Sequence, residues 1–174
     1  VGDQIASGDL QSGSDIMSSF SSWGIPGSLK LKPEITAPGG NIYSVDGQTP
    51  GGQSYENMSG TSMAAPQVAG MVALAAEYIR ENNLAEQTGL TPRQLAQSLL
   101  MSTAVPLREE AAGGNYWSIL KQGAGLANIG AAISSNIYIK MDDSATVSAS
   151  DGKVKAELGD DPQRTGSYRV SFAL

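Results

Sequence analysis

Residues 60–70 read Gly-Thr-Ser-Met-Ala-Ala-Pro-Gln-Val-Ala-Gly and place one serine, Ser62, where a Gly-rich loop meets a helix. Apolar residues then recur at spacings of three and four, which predicts a helix from about Ser62 to Asn83. The first N–H groups of a helix lack intrahelical partners and carry the positive end of its dipole. The backbone N–H of Ser62 is therefore a candidate oxyanion donor, and Gly60 would let a substrate backbone come close.

The same short pattern also fits a simpler structural role. Serine and threonine are preferred N-cap residues, so either Ser59 or Ser62 could do no more than cap the helix. Thr61 could help to orient an oxyanion site, or its hydroxyl could belong to a local turn. These alternatives remain open when the residues are considered without any wider comparison.

Composition and charge exclude several classes of function. The chain has 174 residues, of which 40 % are hydrophobic and 16 % charged, so it is typical of a globular protein. Its net charge of −6 argues against a nucleic-acid partner, because phosphate binding needs a basic surface. It has no cysteine, its acidic pairs lack the spacing of a calcium loop, and it has no apolar run of membrane-spanning length. The sequence predicts no cofactor, no metal site and no membrane span.

The absence of histidine limits the chemistry that the chain can perform alone. None of the 174 residues is a histidine, which excludes a self-contained Ser-His-Asp mechanism. If Ser62 is a nucleophile, its base must come from outside this chain. The first residues, Val1-Gly2-Asp3, include no initiating methionine, and we expect the chain to be an internal piece of a longer protein.

Further elements follow from local signals. Thr91, Pro92 and Gln94 form a predicted capping box with proline at the first helical position, so a second helix should run to about Ser102 or Thr103. A short third helix is predicted over about 127–134, after a tight turn at 123–125. Residues 107–122 are predicted to be an irregular surface excursion. Its aromatic pair, Tyr116 and Trp117, could contact substrate or pack on the core.

Strand signals are weaker and fall into two groups. The apolar residues between 29 and 37 predict a short strand, residues 42–45 predict another, and 46–56 read as a polar loop. From residue 137 onward the alternation of apolar and polar side chains has a period of two, which is typical of strands with one buried face. We therefore expect a domain boundary near residue 135, with 136–174 forming the truncated start of an all-β domain.

Taken as a whole, residues 60–70 resemble the nucleophile motif of the subtilisin-like serine proteases, Gly-Thr-Ser-Met-Ala-x-Pro-His-Val-Ala-Gly. Ten of the eleven positions agree, and the exception is Gln67, where the family usually has a histidine that is not the catalytic base. Residues 20–24, 32–40 and 122–128 resemble other segments of the same family. The resemblance is greatest to cell-envelope proteinases of the lactocepin and streptococcal complement-cleaving types.

The resemblance implies an α/β fold. Residues 1–135 would be the C-terminal part of a three-layer parallel-sheet domain, and 136–174 would begin a fibronectin-like β-sandwich. Ser62 would be the catalytic nucleophile of an endopeptidase, with Gly60 and Thr61 in the oxyanion and nucleophile loop. The triad aspartate and histidine and the oxyanion asparagine would precede residue 1, because the serine comes last in this family.

The implied partners are a protein or peptide substrate and the N-terminal part of the catalytic domain, and the implied location is extracellular or at the cell envelope. Without that N-terminal part the chain should be inactive and should tend to self-associate, since half of a parallel sheet exposes open edges. The alternative is a degenerate, non-catalytic module that acts in binding or scaffolding, with Gln67 as a sign of decay.

Overall fold

The structure is a computed structural model that describes residues 16–25, 27, 30–47, 50–52, 54–109, 113–138, 140–141, 162–167 and 172–173. Predictions that concern 1–15, and the acidic pairs beyond 141, lie outside these residues. The helices are α1 (Thr61–Glu81), α2 (Leu84–Thr88), α3 (Pro92–Ser102), α4 (Ile119–Gln122) and α5 (Ile129–Ser134). The strands are β1 (Ile42–Val45), β2 (Tyr55–Met58), β3 (Arg108–Glu109), β4 (Asn115–Tyr116), β5 (Lys140–Met141) and β6 (Phe172–Ala173).

The long helix α1 forms where its periodicity predicts it. It begins directly after Gly60 and ends at Glu81, within two residues of the predicted bounds. At its C-terminus the Asn82 backbone N–H donates to the Tyr78 carbonyl, and Asn83 adopts a left-handed φ of 53°. A left-handed residue is a common way for a helix to stop. The short helix α2, which the sequence analysis did not predict, follows at once.

The capping box of α3 is confirmed in detail. The Gln94 N–H donates to the Thr91 hydroxyl at 3.3 Å, and the Thr91 N–H donates to the Gln94 side-chain oxygen at 2.9 Å. Pro92 occupies the first turn, where the missing N–H would have no partner. These interactions fix the start of α3, and the helix ends at Ser102 as its pattern predicts.

The core lies where α1, α3 and α5 pack together. One apolar side of each helix contributes, and the chain between α1 and α3 is short enough to bring them side by side. The fully buried members of this cluster are Ala75, Ile79, Leu95, Ala96, Leu99, Leu100 and Ala132. The short helix α5 is placed by its N-cap, since the Ala131 N–H donates to the Asn128 side chain at 3.0 Å.

The side of α1 that faces away from Ala75 and Ile79 is exposed. Only Ala75 and Ile79 of α1 are buried among the described residues, whereas Leu74, which points away from them, is 53 % exposed. A Cβ added at Gly70 would meet no described atom within 4 Å. Small and apolar residues therefore line a helix face against which no described segment packs.

Residues 42–58 form an antiparallel hairpin. Strand β1 is confirmed at 42–45, and it pairs with β2 in a register that runs from Ile42 opposite Met58 to Val45 opposite Tyr55. The predicted loop over 46–56 is too long by two residues, because Tyr55 and Glu56 belong to β2. Their cross-strand partners, rather than their own sequence pattern, place them in a strand.

The predicted parallel sheet does not form within the described part of the chain. Where a strand was expected between 29 and 37, the structure has an isolated parallel bridge between Thr36 and Leu126, and Leu126 also bridges antiparallel to Val105. The described strands pair in antiparallel twos, β1 with β2, β3 with β4 and β5 with β6. A strand inside a parallel sheet pairs with a parallel neighbour on each side. Among the described residues, the segment around Thr36 has one such pairing, the bridge to Leu126.

Residues 107–122 are not the irregular surface excursion that was predicted. They include the β3–β4 pair and helix α4, and Leu107, Lys121 and Gln122 are buried. The Gln122 side chain accepts from the Leu107 N–H at 2.7 Å and donates to the Trp117 carbonyl at 2.6 Å. A buried glutamine thus satisfies two backbone groups that would otherwise lack partners.

Replacing Gln122 with leucine is expected to lower the free energy of unfolding by about 3 kcal/mol, because the Leu107 N–H and the Trp117 carbonyl would be left buried without partners. Gln87→Leu is the matched control, since Gln87 is exposed and, in the part of the chain that the structure describes, its amide donates to the Asn82 carbonyl alone. The control should cost less than about 1 kcal/mol. Urea unfolding measures the free energy of unfolding of both variants. An equal loss for Gln122→Leu and Gln87→Leu would show that the buried amide does not stabilise the fold.

The segment after residue 135 contributes the antiparallel pair of β5 and β6, in which Lys140 lies opposite Ala173. The predicted domain division at residue 135 and the β-sandwich stay predictions, since most of 142–171 lies outside the described residues. Within the described part of the chain, no helix is long and apolar enough to cross a membrane.

Candidate active site

Ser62 is the second residue of α1, and its side chain is exposed. The N-cap of the helix is Gly60, with φ 158° and ψ 162° and without a side-chain capping bond. Ser59 does not cap the helix either, because its hydroxyl accepts from the Asn41 N–H at 2.8 Å. The interpretation of Ser59 or Ser62 as a simple N-cap is therefore wrong. Within the described residues, the Ser62 hydroxyl is free of hydrogen-bond partners.

Three hydrogen bonds hold the junction before Ser62 against residues 38–41. The Gly60 N–H donates to the Gly39 carbonyl at 2.8 Å. The Asn41 N–H donates to the Ser59 hydroxyl, and the Gln67 side-chain amide donates to the Pro38 carbonyl at 2.8 Å. The start of α1 is thus held on both sides of Ser62, which fixes the position of the Ser62 backbone.

Gly39 shows how closely these segments approach. A Cβ added there would lie 2.7 Å from the Gly60 carbonyl oxygen and 3.2 Å from the Ala64 side chain. The first distance is shorter than any ordinary contact, so a larger residue would push Gly60 and the helix start away. Glycine at 39, with the small side chain of Ala64 beside it, is therefore needed for this packing.

A cleft of about 650 Å³ opens beside the junction. Its walls come from the first two turns of α1, from 33–41 and from the segment that begins at Ile16. Gly60 and Thr61 line the cleft, and Ser62 lies next to them without lining it. The structure thus brings the three predicted site residues together at one end of a helix, with a concave surface alongside.

Asp46 and the aromatic pair Tyr116 and Trp117 take part in contacts within the fold. The Asp46 carboxylate accepts from the Ser54 hydroxyl at 3.0 Å and helps to close the hairpin. Arg108 lies over the Tyr116 ring at 4.1 Å, and Lys121 lies over the Trp117 ring at 4.4 Å. These contacts favour packing over substrate binding for the aromatic pair. Within the described residues, no group of three or more acidic, histidine or cysteine side chains is arranged to hold a metal ion.

The role of Gln67 was missed at the level of sequence. Its position in the motif indicated a departure from the usual histidine, but gave no partner. The partner, the Pro38 carbonyl, is 29 residues away along the chain, and only the fold brings the two groups together.

Comparison with protein families supplies the deciding observation. The model of the subtilase family matches residues 5–153. This chain belongs to the subtilase family. The resemblance noted in residues 60–70 is thereby confirmed for most of the chain.

The subtilase chain is also similar to named proteinases. It is 34 % identical over 164 residues to the PII-type proteinase of Lactococcus lactis subsp. cremoris, a match that covers 91 % of this chain and 8 % of that protein. It is 36 % identical over 123 residues to the C5a peptidase of Streptococcus pyogenes, covering 71 % of this chain and 10 % of that protein. The subtilase chain therefore spans a small part of the length of these relatives.

Among solved structures, the PatG macrocyclase domain matches with a TM-score of 0.44 and 28 % identity, over 66 % of this chain and 30 % of that chain.

Proposed function

We propose that the protein to which this chain belongs is a serine endopeptidase with Ser62 as its nucleophile. The observation that carries the proposal is the exposed Ser62 hydroxyl at the second position of α1, within a motif that agrees with the subtilase pattern at ten of eleven positions. The Ser62 oxygen attacks the carbonyl carbon of the scissile peptide bond, and its proton passes to a histidine. The amine then leaves with that proton, and water hydrolyses the acyl-enzyme.

The start of α1 supports the charged intermediate of this reaction. The N–H groups of the first helical turn have no partners within the helix, and the helix dipole places partial positive charge beside them. The Ser62 N–H is one donor to the oxyanion. Gly60 admits the substrate backbone, and Thr61 borders both the cleft and the nucleophile.

The histidine of the triad comes from a part of the protein outside this chain, because its 174 residues include no histidine. The triad aspartate comes from the same part, since the serine is last in the chain order of this family. The exposed side of α1, with Gly70 and Leu74, gives that part a surface on which to pack. The chain alone is then inactive toward peptides and self-associates through this surface. Light scattering that gave a stable monomer would contradict the association.

The substrates are proteins or peptides, which follows from the kind of enzyme to which the relatives belong. Their names, a lactococcal proteinase and a streptococcal C5a peptidase, also support a location outside the cell or at its envelope. A cell-fractionation experiment with the intact protein tests that location.

Fluorophosphonate labelling of the intact protein, followed by mass spectrometry of the labelled peptide, tests the proposed function. Label on Ser62 that disappears on denaturation is the expected result. A folded protein without label would instead favour the non-catalytic module. The specific observation behind that alternative is Gln67, which stands where the family motif usually has histidine.

Gln67→Ala is expected to lower kcat of the intact enzyme by about tenfold with little change in KM, because one hydrogen bond that orients the junction is lost. Gln67→His should recover most of the activity, since an imidazole N–H can donate to the Pro38 carbonyl. Gln97→Ala is the control, because within the described residues the Gln97 amide donates its hydrogen bond to the Met101 sulfur and not to the junction. A rise in KM with kcat unchanged would contradict this positioning role. So would a Gln67→His variant that is no more active than Gln67→Ala.

A further inference from the structure

The β1–β2 hairpin, which leads along the chain into the proposed active site, carries an exposed aromatic pair. The rings of Tyr43 and Tyr55 stack with their centroids 5.5 Å apart and an interplanar angle of 23°. Tyr43 is 54 % exposed, Tyr55 is 56 % exposed, and Val45, directly opposite Tyr55, is 67 % exposed. Because side chains alternate along a strand, these three residues share one face of the hairpin.

Hydrogen bonds at both ends of the hairpin hold this face in place. Near the nucleophile, Asn41 is bonded to Ser59 as described above. At the far end, the Asp46 N–H donates to the Ser54 carbonyl at 2.9 Å, and the Ser54 hydroxyl donates to the Asp46 carboxylate. The tyrosine pair is therefore already ordered, and a ligand that stacks on it would not have to bear the cost of ordering it.

The position of the hairpin in the chain indicates which molecule would reach this face. Strand β2 ends at Met58, and Ser62 follows four residues later, so β2 leads into the nucleophile junction. Ser62 lies seven positions after Tyr55, which sets an upper limit of about 25 Å on the distance between their Cα atoms, at roughly 3.6 Å per residue. An extended substrate bound at Ser62 covers the same distance within about seven residues.

We propose that Tyr43 and Tyr55 form a substrate-binding platform that stacks on an aromatic or large apolar side chain of the polypeptide substrate, within about seven residues of the scissile bond. The proposal rests on the proposed function of Ser62 as a nucleophile. Stacked tyrosines offer a flat apolar surface with hydroxyl groups at its edge, which suits an aromatic side chain with a solvated backbone. The platform would favour long substrates and add little to the binding of short ones.

The test uses the intact enzyme and its Tyr43→Ser/Tyr55→Ser double variant. One substrate is a peptide that extends eight residues on each side of the scissile bond and includes one phenylalanine; the other is a chromogenic substrate of four residues. For the long peptide, kcat/KM of the double variant should be about tenfold lower than that of the wild type because KM rises. This is the change that the loss of one stacking contact predicts. For the short substrate, kcat/KM should stay within about twofold.

Two controls isolate the platform. Tyr116→Ser removes a tyrosine of β4 that is 57 % exposed and whose ring lies against the Arg108 guanidinium. This variant should cleave both substrates as the wild type does. Replacing the phenylalanine of the long peptide by alanine should weaken cleavage by the wild type and not by the double variant. This double-mutant comparison shows whether the two partners touch.

The outcomes separate failure of the platform from failure of the proposed function. Labelled Ser62 and normal cleavage of both substrates by the double variant would overturn the platform and leave the endopeptidase intact. A lower melting temperature with loss of label would mean that another part of the protein covers the tyrosines, which also overturns the platform. A wild-type enzyme that neither labels nor cleaves the short substrate would overturn both.

Discussion

Replacement of Ser62 by alanine in the intact protein is expected to lower kcat for peptide hydrolysis by about 10⁶-fold, the loss that removal of the nucleophile causes in subtilisin. The reason is that the methyl group cannot form an acyl-enzyme, while the fold is undisturbed because the Ser62 hydroxyl is exposed and makes no hydrogen bond with the described residues. Single-turnover assays with a long peptide measure the change. Fluorophosphonate labelling of the same variant should be lost in parallel.

Ser59→Ala is the matched control, since it removes a hydroxyl three residues earlier that is hydrogen-bonded to Asn41. We expect it to reduce kcat by no more than about tenfold, the equivalent of one hydrogen bond. A small effect at Ser62, or an equal effect at both serines, would rule out the acyl-enzyme mechanism on this chain.

The largest effect on stability is expected for Gly123→Ala. Gly123 has a left-handed φ of 63°, and a Cβ added there would lie 2.4 Å from the Glu34 carbonyl carbon and 2.5 Å from the Pro33 carbonyl oxygen. Both contacts are with backbone, so the turn would have to move and would strain the neighbouring bond from the Ala124 N–H to the Glu34 carbonyl. The expected loss in free energy of unfolding is about 3–5 kcal/mol.

Gly166→Ala separates the effect of space from that of backbone conformation. Gly166 has nearly the same φ, 64°, but an added Cβ meets no described atom within 4 Å. Its expected cost is therefore the conformational strain alone, about 1 kcal/mol. Urea unfolding of the two variants measures the difference. Similar losses would show that the close approach of Gly123 to the 33–34 backbone is relieved without cost.

The sequence predicted the parts of the structure that depend on neighbours along the chain. The bounds of α1, the capping box of α3 and the turn at 123–125 all arise from residues within a few positions of one another. The same holds for the family motif, whose residues Gly60, Thr61 and Ser62 are consecutive and occupy the N-cap and the first two positions of α1.

The exposed side of α1 marks the limit of this reasoning. An apolar helix surface predicts that something packs against it, but the pattern cannot say whether that partner lies in the same segment of chain. In the structure, α3 and α5 cover one side, and the side with Gly70 and Leu74 is left open among the described residues.

By itself, the sequence determined the family, the helix that carries Ser62 and the absence of a histidine base, because each is encoded in composition or in a contiguous motif. Only the tertiary structure decided that Tyr55 belongs to a strand, that Gln122 is buried and that Gln67 fastens α1 to the Pro38 carbonyl. Each of these depends on a partner that is distant along the chain. Such hydrogen bonds and strand pairings leave no periodic signal, because the fold and not the local order of residues brings the partners together.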